Sequence, residues 1–313
     1  MSSSLVIILG PTASGKTNLA TKIAYHLEGE IISADSRQIF KGMDIGTGKD
    51  LGEYVVGGND IPYHLIDIKD AGEFYNVNNF KQDFYSALKS VREKKKLPIL
   101  CGGTGMYIHS ILQNQPFTAV PKNEKLRSEL AGLEKNKLQQ KLNTYPEKLT
   151  LHADLNSAKR LIRAIEIAEF LSYNDLPLTE YPPISPIVIG LQSDITYRRQ
   201  RILNRLNFRL ENGLIAEVEN LLEIGVPAET LIFYGLEYKF VVAYLKNEIS
   251  YSELKDKLGT AICQYAKRQM TFFRKMEKDG IDINWLSTEE GESALLKKTI
   301  EIIQQKKSLT TIS

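Results

Sequence analysis

At 313 residues the chain has enough material for one large domain or two modest ones with a sizeable core. Hydrophobic residues at 42% and charged residues at 25% give the composition of an ordinary soluble globular protein. The net charge of +2, from 40 Lys and Arg against 38 Asp and Glu, is too small to announce a nucleic-acid partner, so any such surface must come from local clustering. Cys101 and Cys263 stand far apart without a C-x-x-C spacing, which points to a reducing compartment. Met1-Ser-Ser-Ser4 followed by only five apolar residues does not read as a secretory leader. No run approaches the roughly 18 apolar residues of a membrane span. A cytoplasmic protein with no membrane partner, working as a monomer, is the expectation.

Leu5-Val-Ile-Ile-Leu9 reads as a buried strand. Directly behind it, Gly10-Pro11-Thr12-Ala13-Ser14-Gly15-Lys16-Thr17 satisfies G-x-x-x-x-G-K-[ST] without a mismatch. The glycines let the backbone wrap until successive N–H groups face one anion. A helix starting near Lys16 brings about half a positive charge to the same point. Lys16 adds a full charge, and the Thr17 hydroxyl is placed to ligate a Mg²⁺ riding on the phosphates. Asn18 to Leu27 continues as helix, with Gly29 where a C-cap belongs.

Glu30 to Ala34 reads as a second strand that delivers Asp35-Ser36-Arg37-Gln38 at its carboxyl end, where ligands gather in open α/β sheets. A carboxylate there can hold a magnesium-bound water or take a proton from a nucleophile; the plainer alternative is a surface turn. Gly42 to Asp67, with Ile45-Gly-Thr-Gly-Lys49 and Pro62-Tyr-His-Leu-Ile-Asp67 as landmarks, reads as a long functional loop ending in a short strand or turn. His64 within it is read first as structural. Asn79 to Lys94 has helical period and closes in Arg92-Glu-Lys-Lys-Lys96, a solvated helix end. Pro98 to Cys101 is another buried strand, running into Gly102-Gly-Thr-Gly105, a glycine-rich third wall suited to close backbone approach.

From Pro121 to Tyr181 strands vanish, and Lys159-Arg160-Leu161-Ile162-Arg163 places three cations on a helix whose Leu161, Ile162 and Ile165 face inward. Pro182, Pro183 and Pro186 end the segment, and Ile187 to Leu191 restores a buried strand. The fold class that follows is α/β: a P-loop NTPase-like parallel sheet flanked by helices, with a core of residues 1–120 and 186–313 and an all-helical insertion at 121–185.

Tyr197 to Leu222 then reads as a helix with Arg201, Arg205 and Arg209 on one face, preceded by Arg198 and Arg199. An arginine stripe suits phosphate, because the guanidinium fork makes two-point contacts with it. In the helix from Tyr251 to Lys278, Lys267, Arg268 and their neighbours interleave with Tyr265, Phe272 and Phe273. That pattern suits single-stranded nucleic acid; core aromatics beside a solvated basic face fit the spacing equally well. Ile283 to Leu286 is a last strand before a final helix.

Together Gly10–Thr17, Asp35–Gln38, Ile45–Thr47, His64–Asp67, Gly102–Gly105, Arg160–Arg163 and Gln264–Gln269 resemble, in order and through nearly the whole chain, the bacterial tRNA dimethylallyltransferase family. The resemblance implies transfer of a dimethylallyl group from dimethylallyl diphosphate to N6 of adenosine 37 in tRNA, with release of diphosphate. It implies a phosphate loop that holds a diphosphate, Asp35 as proton acceptor, and Lys16, Thr17 with Mg²⁺, and Arg201 on the leaving group. It also implies tRNA contacts from Asp35, Ser36, Arg37, Gln38, Thr104, Lys159, Arg160, Leu161, Ile162 and Arg163, with the insertion clasping the anticodon stem-loop. Lys267 and Arg268 of the last basic stretch join the expected tRNA contacts. The chain departs from the family's usual residues at Phe40 (tyrosine), Gly48 (alanine), Lys159 (glutamine) and Cys263 (arginine), and in the opening of the arginine-rich helix, which leaves Arg198, Arg199 and Arg205 as alternatives to Arg201. A small nucleotide kinase or a free-adenylate isopentenyltransferase would share the phosphate loop and the α/β core.

Overall fold

A computed structural model of the chain describes residues 5–113, 115–151, 153–176 and 181–312. Five consecutive apolar residues form β1 (Leu5–Leu9), buried throughout, as a central parallel strand covered on both faces requires. The phosphate loop follows, then α1 (Lys16–Leu27) and β2 (Gly29–Ser33). Glu28, at φ 51°, takes the left-handed cap at the end of α1, so Gly29 opens the strand instead of capping the helix. The long glycine-rich segment contains a small antiparallel pair, β3 (Val55–Val56) with β4 (Asn59–Asp60), and then β5 (Tyr63–His64). Next comes α2 (Val77–Glu93), which starts two residues ahead of the expected Asn79 because Asn76 and Asn79 form a capping box. β6 (Leu97–Gly102) and α3 (Gly105–Leu112) complete the first half.

The chain divides into two compact units, Met1–Leu112 with Pro183–Ser313, and Gln113–Pro182. In the second unit, α4 (Glu124–Leu130), α5 (Lys135–Leu142), α6 (Glu147–Thr150) and α7 (Ala158–Tyr173) close around Leu126, Leu130, Leu138, Leu142, Leu161 and Ile165. This unit begins at Gln113 rather than at 121, because the Arg163 guanidinium of α7 donates to the carbonyls of Phe117 and Val120 at 2.9 and 2.7 Å and ties that stretch in. Its end falls at Pro182, three residues before the expected 185, with α7 already closed at Tyr173 by the Asn174 cap.

The first unit resumes with β7 (Pro186–Gln192) and a helical series: α8 (Ile195–Glu211), α9 (Leu214–Glu223), α10 (Ala228–Tyr234), α11 (Leu236–Leu245) and α12 (Tyr251–Lys278). β8 (Ile283–Ser287) and α13 (Glu292–Ile312) follow. The single helix expected from Tyr197 to Leu222 is two, parted at Asn212-Gly213. The six-stranded sheet has the order β5-β2-β6-β1-β7-β8, with every pair parallel.

Alternation along β1 sorts the two faces. Leu5, Ile7 and Leu9 pack with Phe80, Phe84, Met270 and Phe273 of α2 and α12, while Val6 and Ile8 pack with Leu19, Ile23, Leu295 and Ile303 of α1 and α13. A further core joins Ile39, Phe40 and Met43 to helices α8–α12 around Leu206, Tyr234 and Tyr238. The topology therefore brings the carboxyl ends of three adjacent strands, β1, β6 and β2, to one edge. Each of those ends carries one of the stretches singled out in the sequence.

Candidate active site

The phosphate loop leaves β1 in a conformation shaped for an anion. Ala13 (φ 59°) and Gly15 (φ 82°) both take the left-handed region, which is strained for Ala13 and belongs to backbone concavities that gather N–H groups. No side chain caps the first turn of α1, so its leading N–H groups remain available. Lys16 folds back with Nζ 2.8 Å from the Pro11 carbonyl oxygen, and burial pulls its pKa down to about 8. A cavity of about 380 Å³ opens here, walled by Thr12, Lys16 and Thr17 on one side and by Asp35, Ser36 and Gly103 on another.

Asp35 is fixed from its own turn, its Oδ1 accepting the Arg37 N–H at 2.9 Å. The turn is held to the third strand end, where Thr104 Oγ1 accepts the Ser36 N–H at 3.0 Å and the Thr104 N–H donates to the Ala34 carbonyl at 3.2 Å. Thr104 thus acts within the wall that presents Asp35. Gln38 is also spent on the scaffold: its Oε1 accepts from Ser33 Oγ and its Nε2 donates to the Gly48 carbonyl, each at 3.0 Å. Arg37 reaches outward to the Phe233 carbonyl at 3.1 Å and lies over the Phe233 ring.

Gln269 is a site residue that residue-by-residue reading did not single out. From α12 its Oε1 accepts the Thr12 N–H at 2.8 Å and its Nε2 donates to the Gly103 carbonyl at 2.9 Å, so one buried amide locks the phosphate loop to the glycine wall. A side chain at Gly103 would begin 2.5 Å from Gln269 Nε2, which explains the bare backbone there. The only signal in the sequence was the stretch Gln264–Gln269 itself. Cys101, buried against Lys16, has its thiol pushed up to about 12 by burial and is no nucleophile.

The loop through Ile45–Lys49 forms another wall. Lys49 is fully buried and paired with Asp44 and Asp67. The Glu217 carboxylate of α9 accepts the N–H groups of Asp44, Ile45 and Gly46 at 2.8, 2.6 and 3.0 Å, together with the Tyr238 hydroxyl at 2.8 Å. Gly48 has φ 65°, and any side chain on it would overlap Arg209 Nη2. That overlap gives a reason for glycine where the family usually has alanine.

The arginine stripe of α8 splits. The Arg201 guanidinium lies about 3.5 Å from where a side chain on Gly15 would begin, directly over the phosphate loop. Arg205 and Arg209 line the cavity, and Arg205 is paired with Asp50 at 2.5 Å. Arg198 and Arg199 instead line a separate groove with Lys255, Lys267 and Arg274. The last basic stretch divides likewise, Arg268 joining Tyr265 on the cavity wall while Lys267 faces the groove. Glu53, which did not figure among the expected residues, has its carboxyl raised by burial and the nearby Asp50, and it lies in the field of Lys16, Arg201 and Arg205. His64 bonds Glu30 at 2.8 Å in the sheet and is structural.

In the helical unit the expected contact residues separate into surface and core. Lys159 and Arg160 are exposed, with Arg160 paired to Asp154 at 2.7 Å. Leu161, expected at the RNA, is wholly buried in the core of this unit, so its side chain is a packing group, while Ile162 packs against the same core and is only partly buried. Arg163, also expected at the RNA, donates to carbonyls of its own unit and so braces it.

The IPP transferase family model matches residues 38–276. The chain is 52% identical over 282 residues to tRNA dimethylallyltransferase 2 of Porphyromonas gingivalis, spanning 90% of this chain and 93% of that protein. Among solved structures, the tRNA delta(2)-isopentenylpyrophosphate transferase of Staphylococcus epidermidis is 32% identical with TM-score 0.68, covering 96% of this chain and 99% of the other. The full-length tRNA isopentenylpyrophosphate transferase of Bacillus halodurans is 29% identical with TM-score 0.69, covering 99% of both chains. With a matching model across most of its length and relatives aligned nearly end to end, the chain belongs to the IPP transferase family.

Proposed function

We propose that the protein transfers a dimethylallyl group from dimethylallyl diphosphate to N6 of adenosine 37 in tRNA and releases diphosphate. The observation that carries the reading is the convergence of a phosphate loop, a cationic arm and the Asp35 carboxylate on one cavity that also has apolar walls. Thr12, Lys16, Arg201 and Arg205 face the place for a diphosphate, while Ile232, Phe233, Leu236 and Ile262 offer a surface for a five-carbon tail. Tyr265 and Phe233 on the same wall suit a base taken out of its stack. The relatives are named for tRNA, which does not favour the kinase or the free-adenylate alternative.

The chemistry follows from this placement. As the allylic C–O bond breaks, its electron pair goes to the diphosphate oxygen, where loop N–H groups, Lys16 and Arg201 stabilise the growing charge. The adenine N6 forms the new C–N bond and gives up a proton, for which Asp35 is the acceptor. Neutralising this diphosphate, rather than hydrolysing it, is then the role of the loop.

Thr17 on the cavity wall fits a Mg²⁺ that arrives with its phosphate ligands: among the described residues no cluster of three acidic, His or Cys side chains forms a protein-only cage. Thr17 would hold such an ion, which would supply further charge neutralisation. Arg37, Arg268 and Ser36 at the cavity, and Lys159 and Arg160 on the helical unit, are the proposed tRNA contacts, with the anticodon stem-loop as the part recognised. No helix among the described residues is long and apolar enough to cross a membrane. A tRNA substrate supports a cytoplasmic place of work, and a monomer is the oligomeric state we propose.

Incubation with dimethylallyl diphosphate, Mg²⁺ and an anticodon stem-loop bearing A36-A37-A38 tests the reading. The RNA should gain the mass of one prenyl unit. Unmodified RNA with ATP consumed instead would reassign the protein to the kinases.

A further inference from the structure

We propose that Arg209 is an additional diphosphate ligand of this site, seated at the cavity wall in space that Gly48 leaves open. The proposal rests on the diphosphate reading above and adds a cation to it. The Arg209 side chain is 10% exposed, yet its Nη2 has no hydrogen-bond partner among the described residues. Buried polar groups in folded proteins are almost always paired, and an unpaired guanidinium nitrogen is costly.

Its nearest carboxylate oxygen, Asp50 Oδ2, is 3.7 Å away and already bonded to Arg205 at 2.5 Å. Glu237, also near, has its carboxyl raised by burial, which weakens it as a counter-ion. The guanidinium itself feels the same lack: burial, then the neighbouring Arg205, pulls its pKa down to about 10.

Position gives the missing partner its chemistry. Arg209 lines the phosphate-loop cavity together with Thr12, Lys16 and Thr17, and shares a small void with Thr12 and Ala13 of the phosphate loop. An anion held by that loop is the group that can accept from Nη2. Gly48 is the other half of the device. Its φ of 65° and the overlap any side chain would make with Arg209 Nη2, and next with Arg205 Nη2, mean that the two guanidinium groups, Arg209 foremost, occupy the volume a larger residue would fill. Arg209 then acts on the bond-breaking step as Lys16 and Arg201 do, by donating to the diphosphate oxygens that collect the electron pair of the broken C–O bond. The proton balance is unchanged, N6 still losing its proton to Asp35.

The test measures binding of inorganic pyrophosphate with Mg²⁺ by calorimetry, binding of the stem-loop RNA, and KM for dimethylallyl diphosphate, in the full-length parent and in R209M, R209K, G48A and G48A/R209M. R209M should bind pyrophosphate about tenfold or more weakly, the loss expected for one charge-assisted hydrogen bond. R209K should fall between parent and R209M, and RNA affinity should stay within about twofold, since no base or RNA phosphate contact is removed. G48A, whose Cβ would overlap Arg209 Nη2 first and Arg205 Nη2 next, should weaken pyrophosphate binding in the parent background, and by less in the R209M background, where only Arg205 is left to displace; this arm stands even where R209M folds poorly.

Pyrophosphate affinity equal to the parent's in R209M, with a lower melting temperature alone, would make Arg209 a structural ion and overturn the proposal. Loss of RNA affinity with pyrophosphate binding intact would assign it to RNA and overturn it likewise. A parent that binds no pyrophosphate would remove the diphosphate reading itself, an outcome distinct from either.

Discussion

Lys16 is the residue on which the electrostatics of the cradle turn. Its Nζ rests on the Pro11 carbonyl, and burial brings its pKa from 10.5 to about 8. The charged form, to which we assign the diphosphate, is therefore mostly intact at pH 7 and lost as pH rises through about 8; a bound anion would pull the pKa back up. The dissociation constant for dimethylallyl diphosphate should be flat below about pH 7.5 and weaken above pH 8, by up to about tenfold per pH unit. Flat binding from pH 7 to 9.5 would mean that Lys16 does not touch the ligand.

At this scale the sequence was most legible where a residue's role follows from its place after a strand. Asp35 and Thr104 stand just past the ends of β2 and β6, and Lys16 closes the glycine motif that follows β1, so hydrophobic runs and the short motifs behind them located all three. Gln269 escaped because its partners, Thr12 and Gly103, lie 257 and 166 positions away along the chain. Helical spacing placed Leu161 inward, where it is buried, but the carbonyl partners of Arg163 at Phe117 and Val120 lie more than 40 positions away and left no local signal.

Among the elements, the loop through Ile45–Lys49 has no repeating secondary structure, and its shape is imposed from outside. Glu217 collects three consecutive N–H groups from it, while buried Lys49 ties it to Asp44 and Asp67. A buried loop must place its polar backbone groups somewhere; here α9 supplies the acceptor. Glu217→Ala should cost about 2 kcal/mol of stability in denaturant titrations and raise KM for dimethylallyl diphosphate, with Glu217→Gln retaining part of both. Parent-like KM in the alanine variant would separate the loop from the site. Glu217 left no signal of this role in the sequence, because the single helix expected from Tyr197 to Leu222 hid the break at Asn212-Gly213 that starts α9 afresh.

At the scale of the whole molecule, the α/β core and a helical unit set into it were both legible. The loss of strands after Pro121 and their return at Ile187 are composition-level signals. The unit's limits were not, since Phe117 and Val120 join it through a long-range contact to Arg163. Its basic surface makes a quantitative demand on RNA binding. Arg160→Ala should weaken stem-loop affinity and lower the slope of log affinity against log salt by about one, the signature of one lost phosphate contact; a parent-like slope would confine Arg160 to its pair with Asp154. The central claim, however, is that a carboxylate presented at the end of β2 takes the N6 proton while the loop holds the leaving diphosphate. Single-turnover transfer by Asp35→Asn, paired with its stem-loop affinity, tests it most directly, because the amide keeps an oxygen to accept the Arg37 N–H and so preserves the turn. The rate should fall by about a hundredfold or more with RNA affinity little changed; transfer at the parent rate would contradict the mechanism.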